Sequence, residues 1–399
     1  MIYLDWAASA PPEPRSLDEA REISLRYFAN PSSPHAAGRE AGERLADARA
    51  RFARLLGADP QEIVFTSGGT ESNNALLLSL LDKRRLGGVD RQKSRIVITA
   101  IEHASVYEQA RGLEGFGIAC AVVKPRQNGL VEPNAIVESL DDNTALVSVM
   151  LTNNETGAIQ DVAEISRLIR EFSARKGRRI LLHTDAVQAL GKMPFSVRTI
   201  GVDAASFSGH KIGAPRGIGA LYLRSDVSPG FLALGGAQEG GRRPGTENLA
   251  GACALALAAE IRISRMEENV SAAAAVAERL IQGLRRIPGA RIFPETRTGA
   301  DAGSFSPYIV SAGFPPLPGE VVVRIADSQG YRISTGSACS SKKKDRTRVA
   351  EGMGLSKETA LSVVRISIGP ATSAEEIDGF VQAMREEIPP VFEMSRGRG

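Results

Sequence analysis

Five short segments place reactive or anion-binding side chains directly after apolar, β-branched runs. In FTSGGTESNNA small residues turn toward a helix, and the backbone N–H groups there, with the Thr70 hydroxyl, would cradle an anion. A tight turn closed by an N-cap explains the same residues equally well. The segment has neither the GK[ST] of a Walker loop nor the GxGxxG spacing. IEHAS puts His103 just past a strand, where an imidazole could stack on a flat ring or move protons. For that residue alone, a hydrogen-bonded structural histidine is the commoner outcome. LTNNETG sets Asn153, Asn154 and Glu155 after a buried strand, more polarity than a simple loop needs. LLHTDAVQALG ends a strongly apolar strand on Asp185, with Gln188 three residues on; a carboxylate so placed needs a cationic partner. ASFSGHKIGAPRGIGALYL holds Lys211 in a glycine-flanked turn after Ser208 and His210. Desolvation makes such a lysine a Schiff-base candidate, and a surface lysine is the bland alternative.

The elements that must position these residues alternate strand and helix from about residue 40 to 260. Helical periodicity covers 41–56, 73–85, 105–114 and 162–175. Short β-branched runs cover 62–65, 95–99, 118–123, 145–151, 178–185, 203–208 and 219–223. Such alternation predicts a mostly parallel sheet with helices on both faces. Ligands of these sheets sit at the carboxyl ends of the strands, where all five segments fall. An Ala-rich helical segment over 248–285 leads toward a second unit. The stretch AGFPPLPGE reads as loop and the tail MSRGRG as disordered.

The 399 residues are 43% hydrophobic and 24% charged, as expected for a globular chain. A net charge of +3 is too small for a general nucleic-acid binder. Three distant cysteines, Cys120, Cys253 and Cys339, form no disulfide framework or zinc ribbon and fit a reducing compartment. Cys120 and Cys253 sit in apolar stretches and read as buried and structural. The four histidines show no metal-ligand spacing, so no metal is expected. The opening MIYLDWAAS lacks a basic and an apolar signal region, and no apolar stretch is long enough to span a bilayer. A cytoplasmic location without membrane association is the expectation.

Phosphate cradle, histidine platform, ring-nitrogen carboxylate and imine lysine are together the parts that a pyridoxal phosphate site requires. Their order also resembles a known family. The blocks YLDWAAS, NPSSPH, GADPQEIVFTSGGTESNN, EHASV, NNETGAIQD, HTDAVQALGK, SFSGHKIGAPRGIGALY, RRPGTEN, STGSACSS and VRISIG are similar to those of the cysteine desulfurases. These are class V aminotransferase-type, fold type I pyridoxal-phosphate enzymes. The resemblance spans nearly the whole chain. It implies an α/β fold with a large, mostly parallel-sheet domain over 15–260. A smaller α+β domain would comprise 1–14 and 261–399 and carry a catalytic loop at about 327–350.

The same resemblance implies residue roles. Lys211 matches the lysine that carries pyridoxal 5'-phosphate, Asp185 the partner of the ring nitrogen and Gln188 the contact of the ring hydroxyl. His103 would stack on the ring and share in proton transfer. Asn154 would lie near the ring oxygen and the substrate carboxylate. Gly69, Thr70, Ser208 and His210 match phosphate contacts, and Thr246 matches one supplied by a neighbouring subunit, which implies a homodimer. Arg365 matches the arginine that grips the substrate carboxylate. Cys339, flanked by the small residues Gly336, Ser337, Ala338 and Ser340, matches the cysteine that takes sulfur from L-cysteine as a persulfide. Alanine would be the co-product, with sulfur-acceptor or scaffold proteins as partners in iron–sulfur cluster assembly or other thiolation. A selenocysteine lyase, another enzyme on this scaffold, or a weakly active sulfur-transfer scaffold are the alternatives.

Three stretches depart from the family pattern. WAASAPPEP replaces the usual residues at the substrate edge, and Gly240 stands where relatives usually carry arginine. After the cysteine comes a basic run, with Lys342 to Lys344, Arg346 and Arg348. That run reads as a solvated loop or, as the sharper alternative, as a device that lowers the Cys339 pKa or docks an acidic acceptor.

Overall fold

Apolar strands that must be covered on both faces dictate the centre of the molecule. The computed structural model describes residues 1–81, 94–227, 235–298, 301–336 and 347–396, with side chains as far as 392. Seven strands form one sheet in the spatial order Ile63–Thr66, Gly219–Leu223, Ala204–Ser208, Leu181–Asp185, Thr144–Ser148, Arg95–Thr99 and Ala119–Val123. Neighbours are parallel except that Gly219–Leu223 runs antiparallel to both of its partners. This is the mostly parallel α/β sheet that the alternation predicts.

Successive side chains of a strand point to opposite faces, and the cores divide accordingly. Val97, Ala205, Phe207, Ala220 and Tyr222 enter one core with the helices Ala36–Leu56, Val162–Lys176 and Leu249–Ser264. Ile96, Ile98, Ala204, Leu221 and Leu223 enter the other, with Leu76 and Val106 from the helices Gly69–Leu78 and Ala104–Gly112. Phe207 is fully buried, edge-on to Phe52 at 5.8 Å and stacked on Phe195 at 6.4 Å. A side chain buried like this contributes roughly 2–3 kcal/mol.

A third core surrounds the antiparallel strands Val363–Ser367, Ile309–Gly313 and Arg291–Phe293, and it takes in Leu4 and Ala7. The amino-terminal residues therefore strap two regions together. Ile2–Tyr3 pairs with Tyr331–Arg332, the Ala7 amide donates to Ser367 Oγ at 3.0 Å, and the Ala10 amide donates to the His210 carbonyl at 2.9 Å.

The observed elements differ from the sequence expectations mainly at their ends. The helix expected over 41–56 starts at Ala36, because His35 Nδ1 accepts from the Gly38 amide at 3.2 Å, an N-cap that histidine seldom supplies. The helix expected over 73–85 starts at Gly69 and, within the described residues, gives way to a short 3-10 turn at Ser79–Leu81. The Ala-rich segment is two helices, Leu249–Ser264 and Met266–Arg285, broken at Arg265. A helix at Pro14–Arg26 was not expected; Pro14 starts it, and Ser16 Oγ ties it to the Ala254 carbonyl at 2.9 Å. The carboxyl-terminal helix runs through Arg396, so the first half of the tail expected to be disordered is helical, and the rest lies outside the described residues. Cys253 is buried as expected, but Cys120 is half-buried because Ala119–Val123 is an edge strand.

Candidate active site

The strand ends converge on a cleft of about 460 Å³. Ten of the twelve residues expected at the site border it: Gly69, Thr70, His103, Asn154, Asp185, Gln188, Ser208, His210, Lys211 and Arg365. Thr246 is exposed and does not line the cleft of its own chain. Cys339 lies outside the described residues, as do Ser337, Ala338, Ser340, Lys342 to Lys344 and Arg346.

One end of the cleft is built to take an anion. The helix Gly69–Leu78 begins on Gly68 with no side-chain cap, so its first N–H groups stay free to donate into the cleft. Gly219 makes the close approach possible: a Cβ there would stand 2.6 Å from Gly68 Cα and from the Phe207 carbonyl. Ser208, His210 and the exposed Arg216 border the same cleft. His210 Nδ1 lies 3.2 Å from Ser9 Oγ, and burial, with Lys211 adding, pushes its pKa down to about 4. It is therefore a neutral hydrogen-bonding group at pH 7.

At the middle, Asp185 ends its strand and is held from two sides. Its Oδ1 accepts from the Val187 amide at 3.0 Å and its Oδ2 from Asn73 Nδ2 at 2.9 Å. Asn73 Nδ2 also donates to Ser105 Oγ at 2.8 Å, and Ser105 Oγ lies 2.8 Å from His103 Nδ1. His103 caps its helix by accepting from the Ser105 amide at 3.1 Å. Burial pushes the His103 pKa down, against the opposing pull of Asp185. Lys211 emerges from the 3-10 turn Gly209–Lys211, and its Nζ donates to the Ala7 and Ala8 carbonyls, each at 2.8 Å.

The far end holds a buried arginine. Arg365, on the strand Val363–Ser367, is 2% exposed. It donates from Nη1 to the Asn154 carbonyl at 2.9 Å and from Nη2 to Asp5 Oδ1 at 2.8 Å. Its buried Nε has no partner. An unpaired guanidinium donor is costly unless a ligand completes it. Glu155 is buried nearby; burial raises its pKa to about 7 against the pull of Arg348 and Arg365. A Cβ on Gly336, whose φ is +94°, would stand 3.1 Å from Glu155 Oε2. Arg348 is no solvated loop residue: it donates to the Ala100 and Glu102 carbonyls at 2.6 and 2.5 Å and lies over the Tyr107 ring at 4.2 Å.

Several participants carried no readable signal in the sequence. Asp5 lies 360 residues from Arg365, and only the strap brings them together. The Ala7 and Ala8 carbonyls are main-chain groups. Asn73 alone could have been found, since it stands four residues after Gly69 on one helix face.

The match to known proteins agrees with this geometry. The family model of class-V aminotransferases covers residues 2–380. The chain belongs to that family. Among its curated relatives is a cysteine desulfurase of Trichormus azollae, 36% identical over 388 residues, which are 97% of this chain and 93% of that one. The human cysteine desulfurase is 33% identical over 397 residues, 99% of this chain and 83% of its own. A solved NifS-like protein superposes with a TM-score of 0.86 at 32% identity, covering 97% and 99% of the two chains. Within the class-V aminotransferases this is a cysteine desulfurase family member of fold type I.

The donor set of the cleft fits pyridoxal phosphate, the cofactor of this family. Uncapped helix N–H groups suit a phosphate, and the amine of Lys211 shares the cleft with the carboxylate of Asp185. Asn73 Oδ1 and Arg365 Nε, on two residues that line the cleft, are buried without partners. Among the described residues no group of side chains could hold a metal ion.

Proposed function

We propose that this chain carries out its cysteine desulfurase activity with pyridoxal phosphate held covalently through Lys211. The observation that carries the reading is the convergence, in one cleft, of the Lys211 amine, the Asp185 carboxylate and an arginine with an unfilled donor. When bound, the cofactor supplies an electron sink for breaking the substrate's C–H and C–S bonds. Asp185, oriented by Val187 and Asn73, offers a carboxylate to the ring nitrogen and favours its protonated form. Gln188 donates toward the ring oxygen. The first turn of Gly69–Leu78, with Thr70, Ser208 and His210, would receive the phosphate.

Arg365 receives the carboxylate of L-cysteine through its unpaired edge, and Asn154 lies beside it. Lys211, once displaced, carries the proton between substrate carbons, with the neutral His103 as the second acceptor. The Cys339 thiolate attacks the substrate sulfur. An S–S bond forms, the Cβ–S bond breaks with its electron pair left on carbon, and that carbon takes up a proton to give alanine. Cys120 and Cys253 do not suit this task, because burial raises both thiols to about 11.

Residues 15–260 act as the cofactor-binding unit in this reading, and 1–14 with 261–399 as the unit bearing the Cys339 loop. The exposed Thr246 would serve the phosphate of a second copy in a homodimer. Among the described residues no helix is long and apolar enough to cross a membrane. We place the activity in the cytoplasm, with sulfur passing to protein acceptors for cluster assembly or thiolation. Purified protein incubated with L-cysteine without reductant is the test. Alanine in amounts matching a persulfide mapped to Cys339 is expected; bound cofactor with no sulfur transfer would overturn the reading.

A further inference from the structure

Behind Lys211 lies a small second cavity, about 20 Å³, bordered by Trp6, Lys192, Lys211, Arg262 and Tyr308 among others. Lys192 is the unexplained member. Burial, with Lys211, Arg262 and Arg365 adding, pushes its amine down to about 7, and no carboxylate among the described residues pairs with it. Tyr308 stays neutral, because burial raises its hydroxyl to about 12. A cation kept in such company is costly unless an anion nearby balances it.

The hydrogen bond that Lys192 makes shows where it acts. Its Nζ donates to Gln188 Oε1 at 2.7 Å. Gln188 Nε2 in turn donates to the Ala7 carbonyl at 3.0 Å, the same oxygen that accepts from Lys211 Nζ. A primary amide has an accepting edge and a donating edge of nearly equal shape, so its orientation is set only by its partners. Both partners of Gln188 select one orientation, with the oxygen committed to Lys192 and one Nε2 hydrogen left over.

We propose that Lys192 is a positioning residue that locks the Gln188 amide so that Nε2 donates to the cofactor's ring oxygen. The proposal rests on the cofactor reading given above. A donor to the ring oxygen stabilises its anion. It thereby lowers the pH at which the Lys211 nitrogen loses its proton when it holds the cofactor.

The test is a pH titration of the visible absorption of cofactor-loaded protein, with the cofactor dissociation constant measured alongside. K192M is expected to raise the absorption midpoint by about one unit, the scale of one lost charge-assisted contact. It should also weaken cofactor binding about tenfold. K192R should restore the midpoint. K192Q keeps a donor without the charge, so it should fall between the two and serves if K192M does not fold. In a Q188A background K192M should move the midpoint much less, because the two residues act as one unit. A K192M midpoint equal to that of the parent, with cofactor bound, overturns the Lys192 role alone. A parent protein that takes up no cofactor overturns the reading of the cleft and this proposal with it.

Discussion

Arg49 and Arg365 each hold a carboxylate, and of the two only Arg365 keeps a buried donor without a partner. Arg49 grips Glu239 through two bonds, at 2.6 and 2.8 Å, and also donates to the Ile63 carbonyl at 2.7 Å. Glu239 adds the Phe65 amide at 2.9 Å, so its carboxylate is spoken for on both oxygens. This pair fastens the loop before RRPGTEN to the sheet edge. Arg365 has a carboxylate on one nitrogen and a carbonyl on another, while its buried Nε stays empty. Residue type is alike in the two places, and in each pair at least one partner is fully buried. What separates scaffold from site is whether the hydrogen-bonding capacity has been used up.

The histidines repeat the contrast. His183 is fully buried between Ser148 Oγ at 2.8 Å and Ser206 Oγ at 2.9 Å, one hydroxyl on each ring nitrogen. His103 uses only Nδ1, on Ser105, and borders the cleft. Burial lowers the pKa of both, that of His183 to about 4. A depressed pKa alone therefore does not separate the histidine of the cleft from the one inside the scaffold.

Substitutions can break this comparison. The largest effect is expected for K211A and for C339S, which should each lower alanine formation by on the order of a thousandfold, with C339S still binding cofactor. H103Q should lower kcat by about a hundredfold while costing stability only about 0.5–1 kcal/mol, the scale of one helix cap. H183Q should do the reverse, lowering stability by about 1–2 kcal/mol in urea unfolding with kcat/KM nearly intact. An H183Q enzyme that is stable but slow would defeat the distinction between satisfied and unsatisfied groups. E239A leaves Arg49 without its carboxylate and should lower stability by about 3 kcal/mol. R365K should instead raise KM for cysteine about tenfold if Arg365 receives the substrate carboxylate as proposed.

The smallest expected effect is a pH slope. Burial raises Glu102 to about 8, and its Oε2 lacks a partner while Oε1 accepts from Thr99 Oγ1 at 2.7 Å and the Met150 amide at 2.9 Å. The folded state then binds more protons than the unfolded one between the ordinary glutamate value and pH 8. The stability this group contributes is full at low pH and falls as pH rises through that window. E102Q keeps the accepting oxygen and removes the titration, so at pH 8.5 it should be more stable than the parent, with the difference shrinking toward pH 5. A denaturation series across pH 5 to 9 that shows the same slope for both proteins would rule out Glu102 as its source.

Much of this architecture was legible in the residues. Apolar β-branched runs located five of the strands of the large sheet to within one residue, because both sheet faces demand apolar cover, and a sixth, expected over 178–185, begins at Leu181. The seventh, expected over 145–151, ends at Ser148, where Val149 to Leu151 stay buried but leave the ladder. Asp185, Lys211 and His103 were legible because each stands at the end of such a run, and the end of a strand is where this topology puts its ligands. Helix starts were harder. His35 and Gly68 act as N-caps for reasons of local packing that composition does not carry.

By itself, then, the sequence determined the alternation of elements and the chemical types gathered at their ends. The tertiary structure decided how those groups are paired. Asp5 meets Arg365, the Ala7 carbonyl meets Lys211 and Gln188, and Lys192 meets the far side of that same glutamine. The physical reason is that hydrophobic periodicity is a property of neighbours along the chain. The filling of a donor or an acceptor is a property of neighbours in space, and here the amino-terminal strap makes those neighbours from opposite ends of the chain.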